Sequence, residues 1–263
     1  MLRLSRRATG GLGNRLFHLN LLAQLSASSG IPYVYAGTPE SRLLFEVGRK
    51  KIIELKSKPD FTGELLLGLD KQQIFDQIID QSKIKKNLYF EPPLLGELFH
   101  KFTDVPPRDL LTIRRNSKKE RPYVAVHIRG RDFFQWDKKS ILPVSYYRDS
   151  IEFVKSYFGA DINIQLFTDD LNLPSVRELT SQNIATLCSS GSKRDEIKDF
   201  VAMANSVGII SSASTFSIWA GLLGPEKLII HSRDWVDSKS NMGDLFWSNL
   251  KNSLSDFYRA ELI

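Results

Sequence analysis

The chain has 263 residues, 42% of them hydrophobic and 25% charged, a balance typical of a globular protein with one large domain or two small ones. Its single cysteine, Cys188, excludes an intramolecular disulfide and fits a reducing compartment, and the four histidines show no zinc-ligand spacing. The net charge of +6 suits nucleotide phosphates, an anionic membrane surface or nucleic acid as partners.

The basic residues are not arranged as a nucleic-acid interface. The densest run, IRRNSKKER (113–121), lies between two apolar segments and is typical of a solvated linker. No apolar run is long enough to span a bilayer, and no apolar signal region with a cleavage site opens the chain. We therefore expect a cytoplasmic protein without a nucleic-acid partner. Peripheral contact with the anionic inner face of a membrane is the alternative.

Hydrophobic spacing predicts strands and helices in alternation. In the first part these are a strand at 2–4, a helix over 14–27, a strand in IPYVYA (31–36), a helix over 71–84 and a strand in NLYFEPPLL (87–95). After the linker they are strands at 123–128, 162–168, 184–187, 207–210 and 227–230, and helices over 145–158, 195–206 and 215–223. This alternation predicts an α/β protein with parallel sheets covered by helices. We expect two lobes, 1–115 and 122–245, and a C-terminal helix over 246–263.

Four segments at predicted strand ends are informative, because open α/β sheets bind ligands beyond the carboxyl ends of their strands. The first is RATGGLGNRLFHLN (7–20), a glycine cluster between a strand and a helix. Glycine costs about 1 kcal/mol in regular structure, so a cluster marks a tight turn or a close approach to a ligand. A helix start after such a loop also directs free N–H groups at an anion. The alternative is a simple turn with Asn14 as the helix N-cap.

The second segment, VAVHIRGRDFF (124–134), ends a buried strand in charged residues. Side chains two positions apart share a face, so His127 and Arg129 are expected to point into one cleft. The arginine fork suits a diphosphate, and Asp132 follows closely enough to hold the fork in place. The alternative is an ordinary surface pair between Arg129 and Asp132, which would contribute little to stability.

The third segment, LFTDDL (166–171), runs from a strand into Asp169 and Asp170. A carboxylate at this place can accept hydrogen bonds from ribose hydroxyls or from the N–H edge of guanine. The segment lacks the Asp-Xaa-Asp spacing of metal-dependent sugar transferases. Capping of the next helix is the alternative, and the segment taken alone favours it.

The fourth segment, IISSASTFSIWAGLL (209–223), places small and hydroxylated residues between a strand and a helix that starts near Thr215. Ser212, Ser214 and Thr215, together with the first free N–H groups of the helix, would form a second cradle for an anion. A serine-rich N-cap without a ligand is the alternative.

Taken together, the four segments resemble the GDP-fucose-dependent α-1,2-fucosyltransferases of glycosyltransferase family 11. GGLGNRLFHLN is similar to the opening Gly-Gly-Leu-Gly-Asn-Gln-Met-Phe-Gln of that family. His127, Arg129 and Asp132 occupy the fixed places of its His-Xaa-Arg-Xaa-Xaa-Asp motif. FTDD resembles its Phe-Ser-Asp-Asp segment, and STFSIWA resembles Ser-Thr-Phe-Ser-Trp-Trp-Ala. The resemblance extends from residue 2 to about residue 235.

The chain departs from the family pattern at a few positions, which are Arg15 for Gln, Ala213 for Asn, Ile218 for Trp, and Gly130-Arg131 in place of Arg-Gly. These departures bear on the donor and the acceptor more than on the fold. They leave open the same fold with another nucleotide sugar. A non-enzymatic basic protein that binds polyanions is the second alternative.

The resemblance implies a GT-B fold, in which two Rossmann-like lobes with parallel sheets face a cleft. It implies an inverting transfer of fucose from GDP-fucose to a glycan or lipid-linked oligosaccharide, at O2 of a galactoside, with no metal and no cofactor. The residues expected to bind the donor are Gly11, Gly13, Asn14, Arg15, His127, Arg129, Asp170, Ser214, Thr215 and Phe216. Those expected to act in catalysis are Arg129, toward the leaving diphosphate, and Asp132 and Asp137, as candidate bases.

Overall fold

A computed structural model describes residues 2–4, 11–31, 33–35, 69–83, 98–99, 101–111, 113, 121–131, 133, 141–189, 196–225, 228–233 and 258–263. The chain divides into two compact units, residues 1–114 and residues 115–263. The predicted strand at 87–95 lies outside the described residues.

The first unit contains two short strands that pair in parallel, β1 (Leu2–Leu4) and β2 (Tyr33–Tyr35). Helix α1 (Leu12–Ser29) lies between them in the chain, and α2 (Lys71–Lys83) and α3 (Pro107–Leu110) follow. Parallel strands cannot be joined by a hairpin, so the helix between them serves as the crossover. The described part of this unit is therefore of the βαβ type.

Helix α1 is buried over most of its length, since thirteen of its eighteen residues are buried. Two of its buried polar side chains find partners in the segment before α3. Gln24 Nε2 donates to the carbonyl of Val105 at 2.7 Å, and Asn20 Nδ2 donates to Thr103 Oγ1 at 3.3 Å. Such hydrogen bonds offset the cost of removing the amides from water and fix the helix against this segment.

The second unit is built on a parallel sheet, whose described strands are β3 (Tyr123–Ile128), β4 (Asn163–Thr168), β5 (Thr186–Leu187), β6 (Gly208–Ile210), β7 (Leu228–His231) and β8 (Arg259–Leu262). Their order is β5-β4-β3-β6-β7-β8, and every pair is parallel. This is the strand order of a Rossmann-like sheet. The order reverses between β3 and β6, and open α/β sheets bind their ligands at such a reversal.

Between consecutive strands from β3 to β7 the described part of the chain contains the helices α4 (Val144–Phe158), α5 (Pro174–Ser181), α6 (Glu196–Asn205) and α7 (Thr215–Leu223). Pro174 opens α5 at a position where its missing N–H is not needed. Gly159, with a φ of +104°, ends α4 in a conformation that favours glycine. Among the described helices, none combines the length and the apolar character needed to cross a membrane.

Strand β3 is buried along its whole length and divides its side chains between two covered faces. Val124, Val126 and Ile128 belong to the core cluster formed with α4 and α5. Alternation directs the intervening residues to the other face. There the Tyr123 hydroxyl donates to the carbonyl of Ala202 in α6 at 2.6 Å. This burial on both faces explains why the strand is an unbroken apolar run up to residue 126.

The predicted strand at 123–128 and the predicted helix at 215–223 have the observed bounds. Two other predictions are wrong. Helix α1 begins at Leu12 with Gly11 as its N-cap, so Asn14 lies within the first turn and does not cap the helix. Residues 259–262 form β8 beside β7 and not the end of a helix, while residues 246–257 lie outside the described part of the chain.

The reason for the second error lies in the character of β8. This strand is the last of the described order, and none of its residues is fully buried. Arg259 and Glu261, two positions apart, share a face and form a hydrogen-bonded ion pair at 2.9 Å. A short, partly exposed strand with two charges lacks the apolar alternation that identifies a half-buried strand.

A buried polar network lies at the ends of β6 and β7. Ser211 Oγ donates to the carbonyl of Ile230 at 3.0 Å and lies 3.1 Å from His231 Nδ1. The Tyr146 hydroxyl of α4 donates to the carbonyl of Ser211 at 2.8 Å. His231 is 1% exposed, and its burial lowers its pKa from 6.5 to about 3. The imidazole is therefore neutral in the native protein at neutral pH.

This lowered pKa predicts a loss of stability as the pH falls below about 6.5. The unfolded chain binds a proton at His231 near pH 6.5, whereas the native protein does so only near pH 3, so protonation favours unfolding between these values. We expect protonation of His231 in the unfolded chain to lower the free energy of unfolding by roughly 1 kcal/mol between pH 6.5 and pH 5.5, as measured by urea unfolding.

His231→Gln should remove this part of the pH dependence. Ser211→Ala keeps the titrating ring, so it should be less stable at both pH values with the same pH dependence as the wild type. Equal pH dependence in His231→Gln and the wild type would contradict the prediction.

Candidate functional site

His127 joins the two strands between which the strand order reverses. It lies near the end of β3, is fully buried, and has its Nδ1 2.7 Å from the hydroxyl of Ser212 just beyond β6. Its ring also packs against Phe216 of α7, with the ring centroids 5.5 Å apart. The side chain thus holds together the ends of β3 and β6 and the start of α7.

Arg129 lies one residue beyond β3 and is held by a buried carboxylate. Its Nη1 lies 2.6 Å from Oδ2 of Asp169, and the Arg129 side chain is 23% exposed while that of Asp169 is 1% exposed. Oδ1 of Asp169 accepts a hydrogen bond from the N–H of Gly130 at 2.7 Å. A buried carboxylate is costly unless it is paired, and here each oxygen has a partner. Asp169 therefore fixes both the guanidinium and the backbone that follows it.

The register of the sheet explains why Arg129 pairs with Asp169. β3 and β4 run in parallel with Ile128 beside Thr168. One further residue along each chain brings Arg129 beside Asp169, at the carboxyl edge of the sheet. The ion pair therefore extends the register of β3 and β4 by one residue, through side chains.

The end of β4 is itself held from the other side. The N–H of Thr168 donates to Ser189 Oγ at 2.8 Å, and Ser189 Oγ donates to Oδ2 of Asp199 at 3.0 Å. Asp199 lies in the first turn of α6 and is buried. Through this chain of contacts the segment after β5 and the start of α6 support the backbone that carries Asp169.

Helix α7 begins directly beyond β6 with a hydroxylated turn. Ser214 Oγ accepts a hydrogen bond from the N–H of Phe216 at 3.3 Å, and Ser217 Oγ donates to the carbonyl of Ser214 at 3.0 Å. Thr215 is partly exposed, whereas Ser214 and Phe216 are buried. The first turn contains no acidic residue, so no carboxylate of its own offsets the positive end of the helix dipole.

The backbone turns sharply after Arg129. The N–H of Phe133 donates to the carbonyl of Gly130 at 2.9 Å, and Arg131 between them has a φ of +34°. A Cβ atom on residue 130 would lie 2.8 Å from Cδ1 of Leu173 and 2.9 Å from the Cβ of Asp170. Glycine at position 130 therefore lets the turn pack closely against the segment that follows β4.

The structure brings several of the predicted donor-binding residues to the carboxyl edge of one sheet, and these are His127, Arg129, Asp170, Ser214, Thr215 and Phe216. Their contact with a donor stays a prediction. Asp132 and Asp137 lie outside the described residues. Among the residues that are described, no three His, Cys, Asp or Glu side chains are grouped as metal ligands would be.

The other predicted site residues, Gly11, Gly13, Asn14 and Arg15, belong to the first unit and form the N-cap and first turn of α1. Gly11 has a φ of −66°, which any residue can adopt, and no described atom lies within 4 Å of the place its Cβ would occupy. The described fold therefore does not itself require glycine at position 11. Contact of this turn with a donor or acceptor stays a prediction.

Asp169 is the residue that sequence reasoning missed. The sequence suggested Asp170 as the ligand-facing carboxylate and Asp132 as the partner of Arg129. Asp170 shapes the following turn, since its Oδ1 accepts the N–H of Asn172 at 2.9 Å, and its contact with a ligand stays a prediction. Counting from the two strand ends would have found Asp169, because it follows β4 by one residue as Arg129 follows β3.

Comparison with known proteins assigns this region to a family. A family model described as glycosyl transferase family 11 matches residues 108–246, just over half of the chain. The matched range includes β3 to β7 and the start of α7, and hence Arg129, Asp169 and Ser214. No curated protein matches the chain.

The geometry predicts that Asp169→Asn destabilises the protein, because the guanidinium of Arg129 loses the counter-charge of Asp169 while staying mostly buried. We expect a loss of about 1–3 kcal/mol in the free energy of unfolding, less than for a fully buried pair because Arg129 retains access to water. Asp170→Asn is the matched control, since its amide oxygen can still accept the N–H of Asn172. It should change stability by about 0.5 kcal/mol at most. Chemical unfolding of the three proteins measures the difference, and equal stabilities would refute the anchoring role of Asp169.

Proposed function

Because the chain belongs to glycosyl transferase family 11 and is a glycosyltransferase, we propose that it transfers fucose from GDP-fucose to a hydroxyl group of a glycan. The proposed acceptor position is O2 of a galactoside, carried by a glycan or a lipid-linked oligosaccharide. The proposed transfer inverts the anomeric centre and uses no metal ion. Membership of an enzyme family also sets aside the interpretation as a non-enzymatic polyanion-binding protein.

The observation that carries the proposal is the anchored arginine where the strand order reverses. Arg129 is fixed by Asp169 and lies just beyond β3, and the N-terminal end of α7 lies just beyond the neighbouring β6. A planar guanidinium presents paired N–H donors that match the oxygens of a diphosphate. A helix N-terminus adds backbone N–H groups and a positive dipole end. Both features support binding of a nucleotide diphosphate sugar by this unit.

The same arrangement supports a mechanism. In an inverting transfer the bond from the sugar carbon to the β-phosphate oxygen breaks, and negative charge grows on the departing GDP. Donors that are already oriented stabilise this charge without having to reorganise. Arg129 and the start of α7 are proposed for this task, and Asp132 or Asp137 is proposed to accept the proton of the acceptor hydroxyl. His127, being buried, is proposed to act by holding Ser212 and α7 in position.

The family resemblance further suggests a GT-B arrangement, with the first unit on the acceptor side and the second unit on the donor side. In this arrangement the turn at Gly11, Gly13, Asn14 and Arg15 faces the donor from the first unit. No described atom lies within 4 Å of the place that a Cβ of Gly11 would occupy, and this supports the idea because it leaves close approach of a ligand as a reason for the glycine. Asp170, partly exposed at the end of β4, is proposed to contact the ribose or the guanine.

Two departures from the family pattern bear on the identity of the donor. Ala213 and Ile218 are both buried, so their side chains affect packing around the start of α7 and not its open surface. Their burial means that these two departures are no argument for a nucleotide sugar other than GDP-fucose.

The test of the function is release of GDP from GDP-fucose by the purified protein in EDTA, with and without a panel of β-galactosides. We expect release to be stimulated by at least one galactoside and to be unaffected by the chelator. A product digest with a linkage-specific fucosidase would identify O2 as the modified position. Release with another nucleotide sugar alone would refute the proposed donor, and loss of release in EDTA would refute metal independence.

Arg129→Lys is expected to lower kcat about 100-fold or more while weakening the binding of GDP much less. Lysine keeps the charge but loses the planar pair of donors, and oriented donors matter most when charge develops on the leaving group. Single-turnover rates and calorimetric titration with GDP separate the two effects. Equal losses in rate and in GDP affinity would indicate a binding role only.

A further inference from the structure

Strand β8 forms one edge of the sheet in the second unit, and among the described strands β7 is its only neighbour. The N–H of Ile263 donates to the carbonyl of His231 at 3.0 Å, and the carbonyl of Ile263 accepts the N–H of Arg233 at 2.9 Å. Both backbone groups of Ile263 thus face β7. Because these groups alternate in direction along a strand, those of Ala260 and Leu262 point the other way, along the edge of the sheet.

The side chains of this edge strand carry one positive and one negative charge on the same face. Arg259 and Glu261 are two positions apart, form an ion pair at 2.9 Å and are both accessible to water. Charges on an edge strand usually prevent its pairing with another chain, and they do so most strongly when like charges would meet. In β8 the two charges have opposite signs, so their effect on pairing with an identical strand depends on the register.

One antiparallel register of two β8 strands satisfies both the backbone and the charges. Antiparallel pairing joins residues whose backbone groups point outward, so Ala260 can lie opposite the same residue of a second copy. In that register each Arg259 lies opposite a Glu261 of the other copy, and the four charges alternate in sign. A shift by two residues in either direction would instead bring two glutamates or two arginines together, which is unfavourable. The charge pattern of β8 is therefore complementary to itself.

An exposed aromatic side chain lies next to these charges. The guanidinium of Arg259 lies 4.7 Å from the ring centroid of Tyr157 in α4, and Tyr157 is 46% exposed. Phe153, one helical turn earlier, stacks on the Tyr157 ring with the two centroids 6.5 Å apart. Aromatic residues and arginine are enriched where protein surfaces pair. Helix α4 thus extends the surface that β8 presents beyond the strand itself.

We propose that the edge formed by β8 and Tyr157 binds the same edge of a second copy of this chain. The two β8 strands pair in antiparallel direction about Ala260, and the two sheets become one. Two pairs of opposite charges then form between the copies, because each Arg259 faces a Glu261. The reversal between β3 and β6 is separated from this edge by β7, so the inference does not depend on the proposed function.

Analytical ultracentrifugation of the purified chain over a range of concentrations tests the pairing. The wild type is expected to form a species of twice the 30.0 kDa of one chain. Arg259→Glu and Glu261→Arg each place like charges opposite each other, and each should weaken the dimer about tenfold or more. Arg148→Glu is the matched control, because it reverses one charge of an ion pair between α4 and α5 and should leave dimerisation unchanged.

Mixing the two single variants separates the pairing of charges from the folding of each chain. At a concentration where the wild type dimerises, each variant alone should be monomeric, and an equimolar mixture should dimerise because an acidic edge then meets a basic one. The double variant Arg259→Glu/Glu261→Arg should dimerise as well, since its charges again alternate. A wild type that is monomeric at every concentration would overturn the proposal and leave the charges with a protective role only. Single variants that dimerise as the wild type does, or a mixture that stays monomeric, would overturn it too.

Discussion

The carboxylate of Asp169 is the group on which the rest of the candidate site depends. It is almost completely buried, and its two oxygens pair with the guanidinium of Arg129 and with the N–H of Gly130. Without these partners a buried charge at the end of β4 would be strongly unfavourable. With them, the carboxylate fixes the direction of the arginine and the path of the chain immediately after β3.

A second tie fixes the other side of the strand reversal. The hydrogen bond between His127 and Ser212 connects the ends of β3 and β6, and the contact with Phe216 extends the connection to α7. Side chains therefore hold β3 and β6 together at the point where the strand order reverses, which is where a ligand is expected. One consequence is that the positions of the arginine and of the helix start are set by the same sheet edge, as the proposed stabilisation of a leaving group requires.

The parts of the fold that the sequence predicted well are those where burial determines the pattern. β3 is buried on both faces and α7 is buried over eight of its nine residues, and their predicted bounds match the observed ones. β8 was mistaken for a helix because a partly exposed strand leaves no comparable apolar pattern. Asp169 was overlooked because its role depends on the register between two strands some forty residues apart, and hydrophobic spacing within each strand does not specify that register. His127 was expected in a cleft with Arg129. In the structure His127 is fully buried within β3, two residues before Arg129, and lies against Ser212.

Anchoring Arg129 to Asp169 has an electrostatic consequence. A neutral pair positions donors well but attracts an approaching anion weakly, since its two opposite charges nearly cancel at a distance. The start of α7 is a described group at this edge that can supply such attraction, because its first turn contains no acidic residue to offset the positive end of the helix dipole. In the turn that follows Arg129, the glycine at position 130 lies where the chain packs against Leu173 and Asp170, and Arg131, one residue later, is exposed.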